Sequence, residues 1–196
     1  MIKLILGDCL ELMREIPDAS VDAVITDPPY GIGIDSAMFK SRNQQYRNAA
    51  APKRDYGNTN WDIAPSQEYF SEIMRISKRQ VIFGGNYFQL PLSRGWLVWD
   101  KKNGGQYSND FGDCELAWTS EDAPIRLIRH VWHGMIQQDM GNKDVRYRPT
   151  QKPVAVMTWV LELLTKPGDT ILDPFMGSCT TGVACVKLGR NFIGYE

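Results

Sequence analysis

Four residues, Asp27-Pro28-Pro29-Tyr30, constrain this chain more than any others. They follow directly on the apolar run Val21-Asp22-Ala23-Val24-Ile25-Thr26, which reads as a buried parallel strand. An acid, two prolines and an aromatic make a poor core but a rigid rim. Such a rim belongs at the carboxyl end of a sheet, where open α/β folds bind ligands. The prolines fix φ and carry no N–H, so nearby carbonyls stay available as acceptors. Rigid acceptors beside a stacking ring suit a planar base that bears an amino group. The plainer alternative is a proline-terminated strand with a loop tyrosine.

The rest of the chain agrees with an α/β fold. Apolar runs at Leu4–Gly7, Val21–Thr26, Gln80–Gly84, Trp96–Trp99, Glu115–Trp118, Thr170–Asp173 and Asn191–Glu196 read as seven strands. Helical spacing appears over Cys9–Ile16, Gln67–Lys78 behind Ser66, Pro153–Leu164 and Thr180–Leu188. Strands alternating with helices predict a mostly parallel sheet covered on both faces. Trp96, Trp99 and Trp118 are expected in the core. Residues 31–60 read as a long, mobile polar loop, and 120–150 as irregular and polar. A chain of 196 residues is expected to form one domain with a full core. It shows no membrane-span run and no signal peptide. Its four cysteines, Cys9, Cys114, Cys179 and Cys185, have no CxxC spacing. Free thiols in a reducing cytoplasm are the expectation, with no metal site. His130 and His133 form HxxH without evident ligand partners, which favours histidines at the surface or facing a bound partner over a metal centre.

A second constellation lies near the C-terminus. Asp173-Pro174-Phe175-Met176-Gly177-Ser178-Cys179-Thr180-Thr181 follows one strand and opens a helix, and Glu196 ends the next strand. Small residues let a ligand approach the backbone, and the later acid can take a pair of ribose hydroxyls. The full GxGxxG pattern is missing, so a pyrophosphate cofactor is not indicated. A tight strand-to-helix turn is the alternative for Gly177 taken alone.

Taken together, these segments resemble the DNA amino-methyltransferases that use S-adenosylmethionine, in the permuted β group where the catalytic motif precedes the cofactor motif. The resemblance is carried by Gly7-Asp8-Cys9, Asp27-Pro28-Pro29-Tyr30, Pro149-Thr150-Gln151-Lys152-Pro153, Asp173 to Thr181, and Gly189 to Glu196. It implies a single Rossmann-like methyltransferase domain over 1–196 with circularly permuted motif order. The strand ending in Glu196 would lie beside the strand ending in Asp8, which makes Glu196 an expected natural end. Asp27 and the Pro28 carbonyl would hold the exocyclic amine of a flipped adenine, with Pro29 in the rim and Tyr30 stacked on the base. Asp173, Pro174, Phe175, Gly177, Ser178, Thr180 and Thr181 would surround the cofactor and Glu196 would hold its ribose. Asp8, Cys9 and Asp27 would lie near it, with Gln151 and Lys152 at its amino-acid end. The family usually has glycine where this chain has Cys179, a strained choice if that residue needs φ > 0.

Net charge is −1, yet residues 36–54 hold Lys40, Arg42, Arg47, Lys53 and Arg54 with no acid, and Tyr46 lies among them. This stretch suits phosphate contacts; a solvated loop is the alternative. The resemblance places target recognition in 120–150, with Arg126 and Arg129 as DNA contacts. Double-stranded DNA is the expected partner, and a homodimer is a further expectation. The alternatives are methylation of cytosine N4, an RNA or protein substrate, and a catalytically inactive binding module. Asp27 in place of Asn speaks against protein glutamine as the substrate.

Overall fold

The computed structural model describes residues 1–33, 61–105, 112–133, 136–148 and 150–196. Ten strands and four helices are formed by the described residues: β1 (Ile2–Ile5), α1 (Cys9–Arg14), β2 (Ala23–Thr26), α2 (Gln67–Ile76), β3 (Gln80–Phe83), β4 (Trp96–Asp100), β5 (Cys114–Thr119), β6 (Arg126–Arg129), β7 (Trp132–His133), β8 (Ile136–Gln137), α3 (Val154–Leu164), β9 (Thr170–Asp173), α4 (Thr180–Lys187) and β10 (Asn191–Tyr195). A single 3₁₀ turn spans Gly85–Tyr87. The main sheet runs β1-β10-β9-β2-β3-β5-β4-β6, and β7 and β8 form a separate hairpin.

Only β5 opposes the direction of the main sheet. It pairs antiparallel with both β3 and β4, while the other neighbours are parallel. As a result the carboxyl ends of the seven parallel strands and the amino end of β5 share one rim. Strand alternation sends side chains to two cores. Ala23, Ile25, Val81, Phe83, Ile171 and Phe192 pack beneath α3 and α4, against Val156, Val160 and Ala184. Val24, Ile82, Leu172 and Tyr195 pack on the opposite face, beneath α1 and α2, against Met13, Phe70 and Ile73. Every residue of β2 and β3 is buried, as expected for central strands covered on both sides.

The sequence reading is corrected in two places. The main sheet has eight strands rather than seven. The extra one, β6, comes from the segment expected to be irregular, and β7 and β8 lie there too. Its sequence, Arg126-Leu127-Ile128-Arg129, is mostly exposed, because an edge strand with one neighbour needs little apolar burial. Trp99 and Trp118 are buried as expected, whereas Trp96 is half-buried. The predicted adjacency of the two terminal strands holds: β1 and β10 pair in parallel, and the Gly7 amide donates to the Glu196 carbonyl at 3.1 Å. No described helix is long and apolar enough to cross a membrane.

Candidate active site

Asp27 leaves the end of β2 at the centre of the rim. Its carboxylate has two partners: Tyr30 Oη donates to Oδ1 at 2.8 Å, and Lys152 Nζ donates to Oδ2 at 2.5 Å. About a quarter of the Asp27 side chain, 23 %, still faces solvent. Lys152 is buried, at 7 %, and sits between Asp27 and Glu115, whose Oε2 is 3.0 Å from the ammonium. The other Glu115 oxygen accepts from Lys101 Nζ at 2.8 Å. Two carboxylates and two ammoniums therefore form one compact, charge-balanced cluster, as buried charges require.

The electrostatics within this cluster are asymmetric. Burial raises the Asp27 pKa, with the single cation Lys152 opposing it. Burial also raises the Glu115 value, but Lys152 and Lys101 together outweigh it and bring it down to about 2. Burial works against the charged form of Lys152, yet Asp27 and Glu115 prevail and its pKa is raised.

Tyr30 stands over a glycine. A Cβ on Gly84, at the end of β3, would lie 2.2 Å from the Tyr30 ring, so this residue must be glycine for the ring to seat. Tyr87 stacks on Tyr30 with centroids 5.0 Å apart, and Phe88 meets it edge-on at 6.1 Å. Tyr87 remains 50 % exposed, so the pair presents an aromatic wall at the surface. Beyond Tyr30, the Gly31 amide donates to Asp62 Oδ1 at 2.8 Å, which ties the rim to the segment before α2.

The second constellation is built around Asp173, at the end of β9, next to β2. Its Oδ1 accepts from Thr26 Oγ1 at 2.7 Å and from the Phe175 amide at 3.2 Å, and its Oδ2 accepts from Thr181 Oγ1 at 2.7 Å. This carboxylate thus joins β2, the loop and the start of α4. Burial raises its pKa to about 6, with the hydroxyls and the amide opposing. Cys179 has φ 60° and ψ 31°, so the position does require the left-handed conformation that favours glycine. A Cβ on Gly182 would fall 2.5 Å from Cys179 Sγ. Glycine one turn on makes room for the cysteine.

Glu196 reaches back over this loop. Its Oε2 accepts from the Gly177 amide at 2.8 Å, and its other oxygen pairs with Arg148. Pro174 is buried; Phe175 and Ser178 are half-buried at the loop, and Phe175 packs against Tyr69 of α2 at 5.8 Å. Asp8 caps α1, accepting from the Leu10 amide at 2.8 Å. Cys9 is half-buried beside it, its thiol pushed up to about 11 by burial and by Asp8. The backbone at Gly177 is open, with the nearest atoms 4.0 Å from where a Cβ would stand. An acid at the next strand end faces this open turn, a fit for an adenosyl cofactor with ribose hydroxyls.

The rim brings together Asp8, Cys9, Asp27, Tyr30, Lys152, the Asp173 loop and Glu196. Gln151 is bonded to the segment before it: its side chain accepts from the Tyr147 amide at 2.9 Å and donates to the Val145 carbonyl at 3.1 Å. Lys152 stands on Asp27 and Glu115 rather than at the Asp173 loop. Arg126 and Arg129 lie on the far edge strand, Arg129 within 3.5 Å of Asp100. Lys40, Arg42, Tyr46, Arg47, Lys53 and Arg54 lie outside the described residues. Glu115 is the participant that sequence reading missed. Its only local signal is a charged residue at the start of an apolar strand, at the rim end.

Comparison with known proteins agrees with this fold. Residues 101–196 match the family model N6_N4_Mtase, described as DNA methylase. A protein named as a methylase, YubD of Escherichia coli strain K12, is 29 % identical over 210 residues, covering 100 % of this chain and 85 % of YubD. The M1.HpyAVI–SAM complex has the same fold, with a TM-score of 0.57 and 23 % identity over 100 % of this chain and 94 % of the other. So does the cytosine-N4-specific PvuII DNA methyltransferase, with a TM-score of 0.61 and 16 % identity over 100 % of this chain and 81 % of the other. Motif order, the family match over residues 101–196 and the fold all support an amino-methyltransferase of the N6/N4 DNA methylase kind.

Proposed function

We propose that the chain methylates the N6 amine of an adenine flipped out of duplex DNA, with S-adenosylmethionine as methyl donor. The observation that carries this reading is Asp27 at the centre of the rim, next to the Asp173 loop in the sheet, with an aromatic wall beside it. The exocyclic nitrogen is a weak nucleophile because its lone pair is delocalised into the ring. Asp27 and the Pro28 carbonyl accept its two N–H groups and turn the lone pair out of conjugation. Tyr30 and Tyr87 give the base a flat surface to lie on. Bound S-adenosylmethionine supplies an electrophilic methyl group on a sulfonium. Glu196 accepts from its ribose hydroxyls once Arg148 and the Gly177 amide yield, and Phe175 and the turn from Gly177 to Thr181 hold the rest. Orientation of amine and methyl group accounts for most of the rate gain, and the charged cluster around Asp27 contributes next. The basic stretch from Lys40 to Arg54 follows the rim in sequence and supplies phosphate contacts, so DNA affinity falls steeply with salt.

The test is to incubate the protein with unmethylated DNA and S-adenosylmethionine, digest to nucleosides, and identify methylated bases by mass spectrometry. N6-methyladenine is expected. N4-methylcytosine would keep the mechanism and change the base. Absence of any methylated base, with DNA and cofactor both bound, would overturn the reading in favour of an inactive binding module.

A further inference from the structure

The Asp27 carboxylate is already occupied. Tyr30 holds one oxygen and Lys152 the other. A base amine arriving at Asp27 competes with the Lys152 ammonium for Oδ2. An ammonium displaced inside a buried cluster needs another acceptor at once, since an uncompensated buried charge is strongly destabilising. Glu115 Oε2 is that acceptor: it is buried and already ion-pairs with Lys152 Nζ at 3.0 Å, with no other hydrogen-bond donor on it. Lys101 holds the opposite Glu115 oxygen and fixes the carboxylate in place. Antiparallel β5 starts at the rim where the parallel strands end, which is how Glu115 comes to face Asp27 across Lys152.

We infer that Glu115 is a positioning residue for the transfer: it takes over the Lys152 hydrogen bond when the target amine occupies Asp27. This role rests on the methyltransferase reading above. Lys152 moves its hydrogen bond but remains beside Asp27. The site then exchanges one internal donor for the substrate amine without exposing a bare charge.

The experiment compares wild type, Glu115→Gln, Lys152→Met and the double variant on duplex containing the mapped target base. In Glu115→Gln, kcat is expected to fall about tenfold or more while the Kd for S-adenosylmethionine by calorimetry stays within about twofold. Wild type should bind this duplex more tightly than one whose target base lacks the exocyclic amine, and Glu115→Gln should lose that preference. A role in stability alone would not move this ratio of affinities. The double variant should be no slower than Lys152→Met, because the two residues act as one unit. Should Glu115→Gln not fold, Glu115→Asp keeps the charge, withdraws it by one methylene, and is expected to show an intermediate loss. Wild-type kcat and wild-type amine preference in Glu115→Gln, or additive losses in the double variant, would overturn the role of Glu115 alone. A wild-type chain that methylates no DNA would instead overturn the reading on which it rests.

Discussion

Two aspartates end neighbouring parallel strands, and they are held in opposite ways. Asp27, after β2, is gripped by the tips of long side chains, the Lys152 ammonium and the Tyr30 hydroxyl. Asp173, the last residue of β9, is gripped by two threonine hydroxyls and a backbone amide. Long side chains can exchange partners at little cost in geometry. Short donors fixed to the backbone cannot. The first acid is built to be approached and the second to hold a loop in shape. Charge follows the same division: Asp27 has a cation beside it, whereas Asp173 is surrounded by neutral donors and burial brings its pKa to about 6.

The largest expected effect breaks the comparison at Asp27. Asp27→Ala removes an orienting acceptor, so kcat should fall by about 10²–10³-fold or more, while cofactor affinity by calorimetry changes little. Lys152 retains Glu115, and the variant should fold. Near-normal turnover would show that the transfer does not depend on this carboxylate.

A smaller effect sharpens the comparison at Asp173. Its folded pKa lies above the unfolded value, so the folded state binds the proton more tightly, and this group's contribution to stability declines as pH rises. Moving the value from 3.8 to about 6 costs the ionised folded form about 3 kcal/mol at neutral pH. The stability difference between Asp173→Asn and wild type should therefore shift in favour of the variant by about that amount between about pH 3 and pH 7, and stay level above. Chemical denaturation across that range checks it; a flat difference would assign the acid no ionised burial cost. The smallest effect is at Cys179. Cys179→Gly relieves a left-handed cysteine but loosens the unfolded chain, so unfolding free energy should change by less than about 1 kcal/mol. A large loss would mean that the thiol itself, and not the Asp173 bonds, holds the loop.

How much of this was legible in the sequence follows from how local each feature is. The Asp27 rim and the Asp173 loop were legible because strand, acid and turn are contiguous. The pairing of β1 with β10 was legible from motif order. Glu115 was not, because it faces Asp27 only through the reversed direction of β5, a property of the whole sheet. The role of Lys152 was hidden for the same reason: 125 residues separate it from Asp27. The eighth strand escaped because Arg126-Leu127-Ile128-Arg129 is short and exposed, and an edge needs no apolar pattern. The handover of a lysine between two carboxylates is visible only once distances are known.

The cysteine at 179 and the glycine at 182 carry a consequence for descent. The side chain at one fits only because the other has none. Phe192 lies almost as close, 2.7 Å from where a Cβ on Gly182 would stand, so Gly182 answers to two neighbours at once. In an alignment of relatives, glycine at 182 should persist wherever either the aromatic ring at 192 or a side chain at 179 is present.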